Sequence, residues 1–547
     1  MRSLTPSLLA GAALLAAPAA ALACGGFFCD NAQPINQSAE RILFAADGAT
    51  MHMHVQVAYQ GPPQDFGWLL PAAPGVEVAL SSEQLFTSLD QLYGPRFIVR
   101  QLFDPGCEPP PVDFDGGPFP APEAGGEGGV DVLSRQPVGP YDSAVLQADD
   151  VMVLRAWLDE NGFQIPPAID AKLQPYIDRG QVFVAIKLLP GADAGDITPL
   201  HLSFPASRPA VPIVPTGVAA EADMGVIVHV LGGARAVPLN YRHVEINEAA
   251  LDLAAGGSNY VDVVAAAVDE AGGLAFATDF AGAIDDRLAT ALRPIDLAAA
   301  AALATVRDLV SGAIPLDADI QRVAAGQLVL PEGITPADFW QCPFCYDDVL
   351  DQPLDAAALA AEIEAEVNPA REHLGALLAR HGYLTRLFTT LNPDEMTLDP
   401  EFGQNPDLPE QPATRTIEVR VPCDGGQPDR DGAELVNAAG ETVPADLSGQ
   451  SAVRRAGGET VNGADRPAAA VIARLTEAGP PEIIGGNGED PPPMPGADGG
   501  VDVPGGGGSP GGTDGGCACD AGTGAPAAPT LAALALLALA GVRRRWR

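Results

Sequence analysis

Lysine is almost absent from this chain, and basic residues as a whole are scarce. Only Lys172 and Lys187 are lysines, and 30 lysines and arginines stand against 71 acidic residues, for a formal net charge of -41. A surface of that sign repels nucleic acid and anionic membranes, because both are themselves negatively charged. We therefore expect no nucleic-acid partner and interpret the acidic excess as a solvated surface.

The familiar catalytic motifs are missing as well. The sequence has no phosphate-binding P-loop, no G-x-S-x-G nucleophile elbow, no H-E-x-x-H zinc motif and no G-x-G-x-x-G after a strand. These absences favour a binding or scaffold ectodomain over an enzyme, and they give no reason to expect a cofactor or to assign catalytic residues. The alternative is an extracellular enzyme whose site is assembled only by the fold.

The N-terminus has the pattern of a secretory signal. Arg2 supplies the positive start, the apolar run over 8–17 is too short to span a bilayer, and Ala21-Leu22-Ala23 has the small-x-small pattern of a cleavage site. Cleavage after Ala23 leaves Cys24 as the first mature residue. Simple cleavage is the favoured interpretation, and a periplasmic-face lipoprotein acylated on Cys24 is the alternative.

The C-terminus has three parts in a fixed order. A linker rich in Gly and Pro over 485–516 predicts a flexible stalk, and Cys517-Ala518-Cys519 follows it. An apolar segment over 525–542, just long enough to cross a bilayer, precedes the arginine-rich residues 543–547. The three parts together resemble the myxobacterial C-terminal sorting signal. That resemblance implies contact with the sorting machinery, processing near Cys517 and Cys519, and anchoring at the cell surface or outer membrane.

Between the two ends, strand patterns come first and helical patterns later. This order predicts the α+β class, with a strand-rich N-terminal part and a mixed sheet followed by a helix-rich C-terminal half. The composition divides the chain into a signal peptide (1–23), a strand-rich region (24–104), an acidic Pro/Gly-rich insertion (105–136), a main α+β domain (137–422), a weakly ordered polar region (423–484), the linker (485–516), and the sorting motif with one transmembrane helix and its tail (517–547).

Six cysteines lie between the terminal signals, if the first mature residue is included. Export would place them in an oxidising space, where an even number of cysteines indicates disulfides, although six cysteines allow 15 pairings. A four-thiolate zinc site and a redox-active C-x-x-C pair are the alternatives. The disulfide candidates are Cys24, Cys29, Cys107, Cys342, Cys345 and Cys423.

Two polar groupings have a possible chemical role. His52 and His54 lie two apart on a predicted strand, so both imidazoles share a face and can bind one metal, but no third ligand is evident nearby in the sequence. We therefore favour a strand face of ordinary polarity and assign no metal.

Further along, a second cluster brings aromatic, cationic and acidic side chains together. These groups could form a recognition site for a polar ligand or serve the structure, and we favour the structural role. Its members are Tyr241, Arg242, His243 and Glu245.

Several stretches, long and in order, match a known bacterial family. They are Cys24-Gly25-Gly26-Phe27-Phe28-Cys29, Ala39-Glu40-Arg41-Ile42-Leu43-Phe44, Asp65-Phe66-Gly67-Trp68, Val138-Gly139-Pro140-Tyr141-Asp142, Asn240-Tyr241-Arg242-His243 and Tyr383-Leu384-Thr385-Arg386-Leu387. Together they resemble the bacterial domain of unknown function family 2330. The resemblance implies no activity and transfers no catalytic residue.

Overall fold

The computed structural model describes residues 36–60, 66–105, 131–163, 167–189, 197–218, 220–425, 427–436, 442–445, 447, 453–454, 460–461 and 467–494. These residues belong to one unit, which ends at Met494. None of the helices in these ranges is long and apolar enough to span a bilayer. The expected signal peptide and sorting segment lie outside the described residues, as do Ala23, Cys24, Cys29, Cys107, Cys517 and Cys519. Of the expected linker, residues 485–494 are described and 495–516 are not.

Strands dominate both ends of the described chain, and most helices lie between them. The strands are β1 (Asn36–Asp47), β2 (Thr50–Gln60), β3 (Trp68–Ala72), β4 (Glu77–Leu80), β5 (Arg96–Phe103), β6 (Asp131–Val138), β7 (Tyr141–Gln147), β8 (Val182–Leu188), β9 (Leu200–Pro205), β10 (Ala220–Gly232), β11 (Arg235–Pro238), β12 (Arg242–Ile246), β13 (Ala275–Ala283), β14 (Tyr383–Leu391), β15 (Phe402–Asn405), β16 (Thr414–Val421), β17 (Cys423–Asp424), β18 (Gln427–Pro428), β19 (Glu434–Val436), β20 (Thr442–Pro444), β21 (Val453–Arg454), β22 (Thr460–Val461), β23 (Ala469–Arg474) and β24 (Glu482–Gly485). The helices are α1 (Glu83–Tyr93), α2 (Val151–Glu160), α3 (Asp170–Asp178), α4 (Tyr260–Glu270), α5 (Asp286–Ala291), α6 (Leu297–Ala300), α7 (Val306–Val310), α8 (Ala318–Ala325), α9 (Pro336–Gln341), α10 (Asp347–Leu350), α11 (Ala356–Glu362) and α12 (Asn368–Leu378).

A ten-stranded mixed sheet is the centre of the fold. Its strand order is β24-β23-β12-β13-β14-β10-β1-β2-β9-β4, with β1 parallel to β10 and β12 parallel to β13. A four-stranded antiparallel sheet, in the order β3-β8-β7-β6, packs on part of one face. The predicted α+β class, with a strand-rich, sheet-dominated N-terminal part, is confirmed.

The period-two alternation of β1 and β2 separates two apolar cores. Ile42 and Phe44 of β1, with Met51 and Met53 of β2, face the four-stranded sheet. The intervening positions face the opposite side, where Leu43 contributes to a core shared with helices α1, α5 and α12. Because successive side chains of a strand point to opposite faces, β2 presents its even-numbered residues to this helical side.

Among the described residues, sheet pairing crosses the expected boundaries between the regions 24–104, 137–422 and 423–484. Strands β1 and β2, from the expected region 24–104, pair with β9 and β10 of the expected region 137–422. The region 423–484, expected to be weakly ordered, supplies β23 and all of β24 except Gly485, the first residue of the expected linker. Both strands extend the ten-stranded sheet beside β12. The apolar residues Ala469 and Ile472 are buried there. The polar composition of the region as a whole gave no indication of this buried strand.

The expected helix-rich C-terminal half is shorter than its pattern suggested. Helices α5 to α12 fill only the stretch between Asp286 and Leu378, and β14 and the later strands return the chain to the sheets. Strand β14 lies between β10 and β13 and is buried at every position except its first. A fully buried strand loses the alternation of apolar and polar residues, so its sequence is easily mistaken for a helix.

The cysteines that the structure describes are oxidised. Cys342 and Cys345 form a disulfide bond with an S–S distance of 2.00 Å. Cys423 also takes part in a disulfide bond. The C-x-x-C pair therefore supplies no thiolate to a zinc site in this structure.

Glu40 places a carboxyl group in the apolar core between the two sheets. It lies on β1 with the parity of Ile42 and Phe44, and it is only 3 % exposed. Burial raises the pKa of Glu40 from 4.5 to about 7, because a charged carboxylate is poorly solvated there. The folded state therefore prefers the neutral acid.

We predict that Glu40→Gln stabilises the protein from weakly acidic pH upward. Because folding raises the carboxyl pKa from 4.5 to about 7, burial carries no penalty below pH 4.5; the penalty grows between pH 4.5 and 7 and is nearly constant above pH 7. The variant should match the parent at pH 4 and gain up to about 3 kcal/mol of unfolding free energy at pH 8, measured by urea denaturation. Exposed Glu77 is the control, and an equal gain in Glu77→Gln would contradict the burial argument.

Candidate metal centre

Three histidines meet on the helical side of the large sheet because of strand register. His52 and His54 lie two residues apart on β2 and share a face, while the alternate methionines enter the core on the other side. The antiparallel register of β2 with β9 places His201 directly opposite His54 and diagonal to His52. Directly opposed side chains on one face are within contact distance, so the three imidazoles form one group.

Helix α12 brings a fourth histidine over this group. Leu374, Leu377 and Leu378 of α12 pack in the same core as Leu43 of β1, which is the cross-strand neighbour of His54. His373 precedes the first of these leucines and lies against the sheet histidines. Four of the seven histidines of the chain therefore form one cluster, made of His52, His54, His201 and His373.

A buried ion pair fixes the position of α12. Arg371, two residues before His373, is 1 % exposed and binds Asp319 of α8 through Nε at 3.0 Å and through a terminal nitrogen at 2.7 Å. Asp319 also accepts a hydrogen bond of 2.6 Å from the Ser82 hydroxyl and bonds from the first backbone N–H groups of α1. One carboxylate thus ties α12, α8 and the start of α1 together.

Two serines at the start of α1 have different roles. Ser82 caps the helix and accepts a hydrogen bond from the Leu85 N–H. Ser81 is buried instead beside His54, and its hydroxyl is hydrogen-bonded to Nδ1 of that ring at 2.7 Å.

The ring nitrogens approach the spacing that a shared metal ion requires. Nδ1 of His52 and Nε2 of His201 are 3.0 Å apart, and His52, His201 and His373 offer nitrogens that all lie within 4.8 Å of one another. Two nitrogens bound to one tetrahedral zinc ion are separated by about 3.3 Å, given Zn–N bonds of about 2.05 Å. The ligand atoms are up to 4.8 Å apart, so a bound ion would need the third ring to move closer.

Burial keeps the imidazoles neutral, which is the form that binds metals. Burial, followed by the charges of His373 and His52, lowers the pKa of His201 to about 3. Burial also lowers the pKa values of His52 and His373, and it holds that of His54 well below the ordinary range. Because protons do not compete for these nitrogens near neutral pH, the cluster is available to a cation.

Two nitrogens of the cluster have no hydrogen-bond partner among the described residues. They are Nε2 of His373 and Nε2 of His54, and both are buried from solvent. A buried polar atom without a partner costs free energy, and a metal ion bound at His373 would remove that cost there by accepting the lone pair of Nε2. His54 also stacks on His201, with ring centroids 4.5 Å apart, so the second ring supports the first.

The donor set selects a class of metal. Three imidazoles and no carboxylate from the described residues make up the group of possible ligands. Imidazole nitrogen suits Zn²⁺, Cu²⁺ and Ni²⁺, whereas Ca²⁺ and Mg²⁺ prefer oxygen ligands. The arrangement therefore fits a late first-row divalent ion with three protein ligands and one open position.

The second cluster, Tyr241, Arg242, His243 and Glu245, does not form one group in the structure, because alternate residues of β12 face opposite sides of the sheet. Arg242 donates to the carbonyl oxygens of Ala271 and Pro492, and the Tyr241 hydroxyl donates to the Leu398 carbonyl at 2.7 Å. His243 and Glu245 line a separate cavity. Tyr241 and Arg242 therefore bind backbone carbonyls, whereas His243 and Glu245 border the cavity.

Sequence reasoning found half of the histidine cluster and missed the other half. The pair His52 and His54 carried the correct signal, a shared strand face, but the third ligand was sought nearby in the chain. His201 lies 149 residues after His52 in the chain, and His373 lies on a helix rather than a strand. The scarcity of histidine, with only seven in the chain, was the available hint.

The three histidines on the sheet lie in the part of the chain that matches a known protein family. The family model described as an uncharacterized protein conserved in bacteria, domain of unknown function 2330, matches residues 18–314. That range is more than half of the 547 residues and includes His52, His54 and His201, whereas His373 lies beyond it. No curated protein and no solved structure matches this chain.

We predict that Arg371→Met destabilises the fold by about 3–5 kcal/mol, because Asp319 is then left buried without its cation. Urea denaturation measures the change in unfolding free energy. Arg380→Met is the matched control, since Arg380 follows the same helix and forms an exposed ion pair with Asp47. That control should cost at most about 1 kcal/mol. Equal effects in the two variants would show that the buried pair has no special role.

Proposed function

Since this chain belongs to the domain of unknown function family 2330, whose description assigns no activity, we propose from its histidine cluster that it is a metal-binding ectodomain. The ion is a divalent late first-row metal, with Zn²⁺ as the reference case. His52, His201 and His373 are the ligands, and His54 stacks on the ring of His201.

The observation that carries the proposal is the convergence of three neutral imidazoles around one point. Their nitrogens lie within 4.8 Å of one another, and one of them, Nε2 of His373, is buried without a partner. In the absence of an ion, the three rings interact only by packing against one another and through the single hydrogen bond of His52 with His201. An ion satisfies all three rings at once.

Binding is favoured over hydrolysis as the role of the site. A three-histidine set with an open position also occurs in catalytic zinc sites, where a carboxylate or another base takes the proton from the bound water. No carboxylate among the described residues lies in the cluster. Capture or display of the metal therefore needs fewer additional groups than catalysis does.

The location proposed for this protein comes from the two ends of the sequence. The signal pattern before Cys24 supports export, and the cysteine motif, apolar segment and arginines over 517–547 support anchoring at the cell surface. The disulfide between Cys342 and Cys345 fits an oxidising space. A surface-tethered domain would meet metal ions outside the cell.

We predict that the metal-free full-length chain binds one Zn²⁺ per molecule, as measured by isothermal titration calorimetry. His201→Ala and His373→Ala should each weaken binding by at least about 100-fold, because each removes a ligand. Zinc should raise the melting temperature of the parent and not of these variants.

His381→Ala is the matched control for this experiment. His381 follows the same helix as His373 and is partly buried, but it is not one of the three ligands. It should bind zinc as the parent does. If the control loses binding to the same degree, or if the parent binds no zinc, the metal proposal is wrong.

The location has its own test in a myxobacterial host. Mass spectrometry of the surface fraction should find a chain that begins at Cys24 and lacks the residues after the cysteine motif. Replacing Cys517 and Cys519 with Ser should leave the apolar tail in place. An intact Met1, or a cytoplasmic pool as the main species, would contradict export.

A further inference from the structure

A polar cavity lies at the other end of the large sheet, away from the histidine cluster. It has a volume of about 150 Å³ and is bordered by β11, β12, β13 and β16. A cavity of that size holds a molecule of about six heavy atoms. The polar groups that line it include Arg235, His243, Glu245, Glu248, Thr278 and Arg415.

The inner part of the cavity holds a buried guanidinium that forms no ion pair with the described residues, although the charge of Glu245 acts on it. Arg235 is 7 % exposed, donates to the Pro409 carbonyl at 3.1 Å and lies 3.5 Å from Nε2 of His243, but its Nε has no hydrogen-bond partner among the described residues. Arg415 donates to the Thr278 carbonyl at 2.9 Å, and its buried Nε is also without a partner. Within the described part of the chain, neither guanidinium forms an ion pair with a carboxylate.

Burial makes a charged Arg235 costly in this cavity. Burial lowers the pKa of Arg235; Glu245 and Tyr383 oppose that shift, and Arg415 adds a smaller lowering. A guanidinium stays charged in proteins, so the cost is met in folding free energy rather than by loss of a proton. An anion placed between the two arginines would relieve that cost.

His243 adds a neutral polar group to the inner end. It is 3 % exposed, and burial together with the charges of Arg235 and Arg415 lowers its pKa to about 3. Nε2 of His243 is hydrogen-bonded to the Thr278 hydroxyl at 3.0 Å. The inner end therefore presents two positive charges beside an uncharged imidazole and a hydroxyl.

The opposite charge lies nearer to solvent. Glu245 follows His243 on the same face of β12 but is exposed, and Glu248 is partly buried just beyond the strand. Burial raises the pKa of Glu248, while Arg415 opposes that shift. The cavity thus has cations at its buried end and carboxylates toward its mouth.

We propose that this cavity binds a small zwitterion, an amino acid of about six heavy atoms, with its carboxylate between Arg235 and Arg415 and its ammonium toward Glu245 and Glu248. Guanidinium groups match a carboxylate in geometry and charge, which makes them the usual choice for such recognition. The carboxylates at the mouth disfavour a simple dianion such as phosphate, because its charge is repelled there.

The test is a calorimetric titration of the full-length chain in EDTA with β-alanine, acetate, ethylamine and phosphate as separate probes. β-Alanine should bind, and acetate and ethylamine should bind at least tenfold more weakly, because each loses one pair of charged hydrogen bonds. Acetate or phosphate binding as tightly as β-alanine would overturn the zwitterion assignment, and so would absence of β-alanine binding.

Arg235→Met should weaken β-alanine binding at least tenfold, whereas Arg242→Met should retain it, because the Arg242 side chain contacts backbone carbonyls outside the cavity. The ligand-free Arg235→Met chain should melt at or above the parent temperature, since an unpaired buried cation is removed. A large drop in melting temperature would identify Arg235 as a structural residue and overturn the proposal. His201→Ala should bind β-alanine normally, which separates this site from the metal centre.

Discussion

The ion pair between Arg371 and Asp319 is the constraint on which the helical side of this protein depends. Both residues are almost fully buried, and the carboxylate accepts bonds from Arg371, from Ser82 and from the start of α1. A buried pair of this kind contributes little net stability compared with apolar residues, but it cannot lose one partner without a large cost. Its value lies in placing α12 in one register over the sheet.

That register decides the chemistry of the sheet face. His373 follows Arg371 by two residues, and Ser81 precedes Ser82, so the network holds both a helix ligand and the partner of His54. The sheet supplies the other imidazoles through the fixed pairing of β2 with β9. A metal ion would bind across two elements that already pack together, so its free energy would add to the stability of their contact.

The two proposed sites use opposite electrostatic solutions. In the histidine cluster, burial lowers pKa values and removes charge, which leaves lone pairs for a cation. In the cavity beside β12, the arginines cannot lose their protons, so Arg235 and Arg415 keep positive charge for an anion. In both places, buried nitrogens without hydrogen-bond partners mark a surface that is incomplete without a ligand.

The sequence alone determined the α+β class and the strand face shared by His52 and His54, because these depend on alternation among residues that are close together in the chain. Only the tertiary structure brought His201 and His373 to that face and separated His243 from Arg242. It also showed that β14 is a strand and that β23 belongs to the large sheet. Pairing across hundreds of residues is set by packing and register, and neither leaves a local pattern in the sequence.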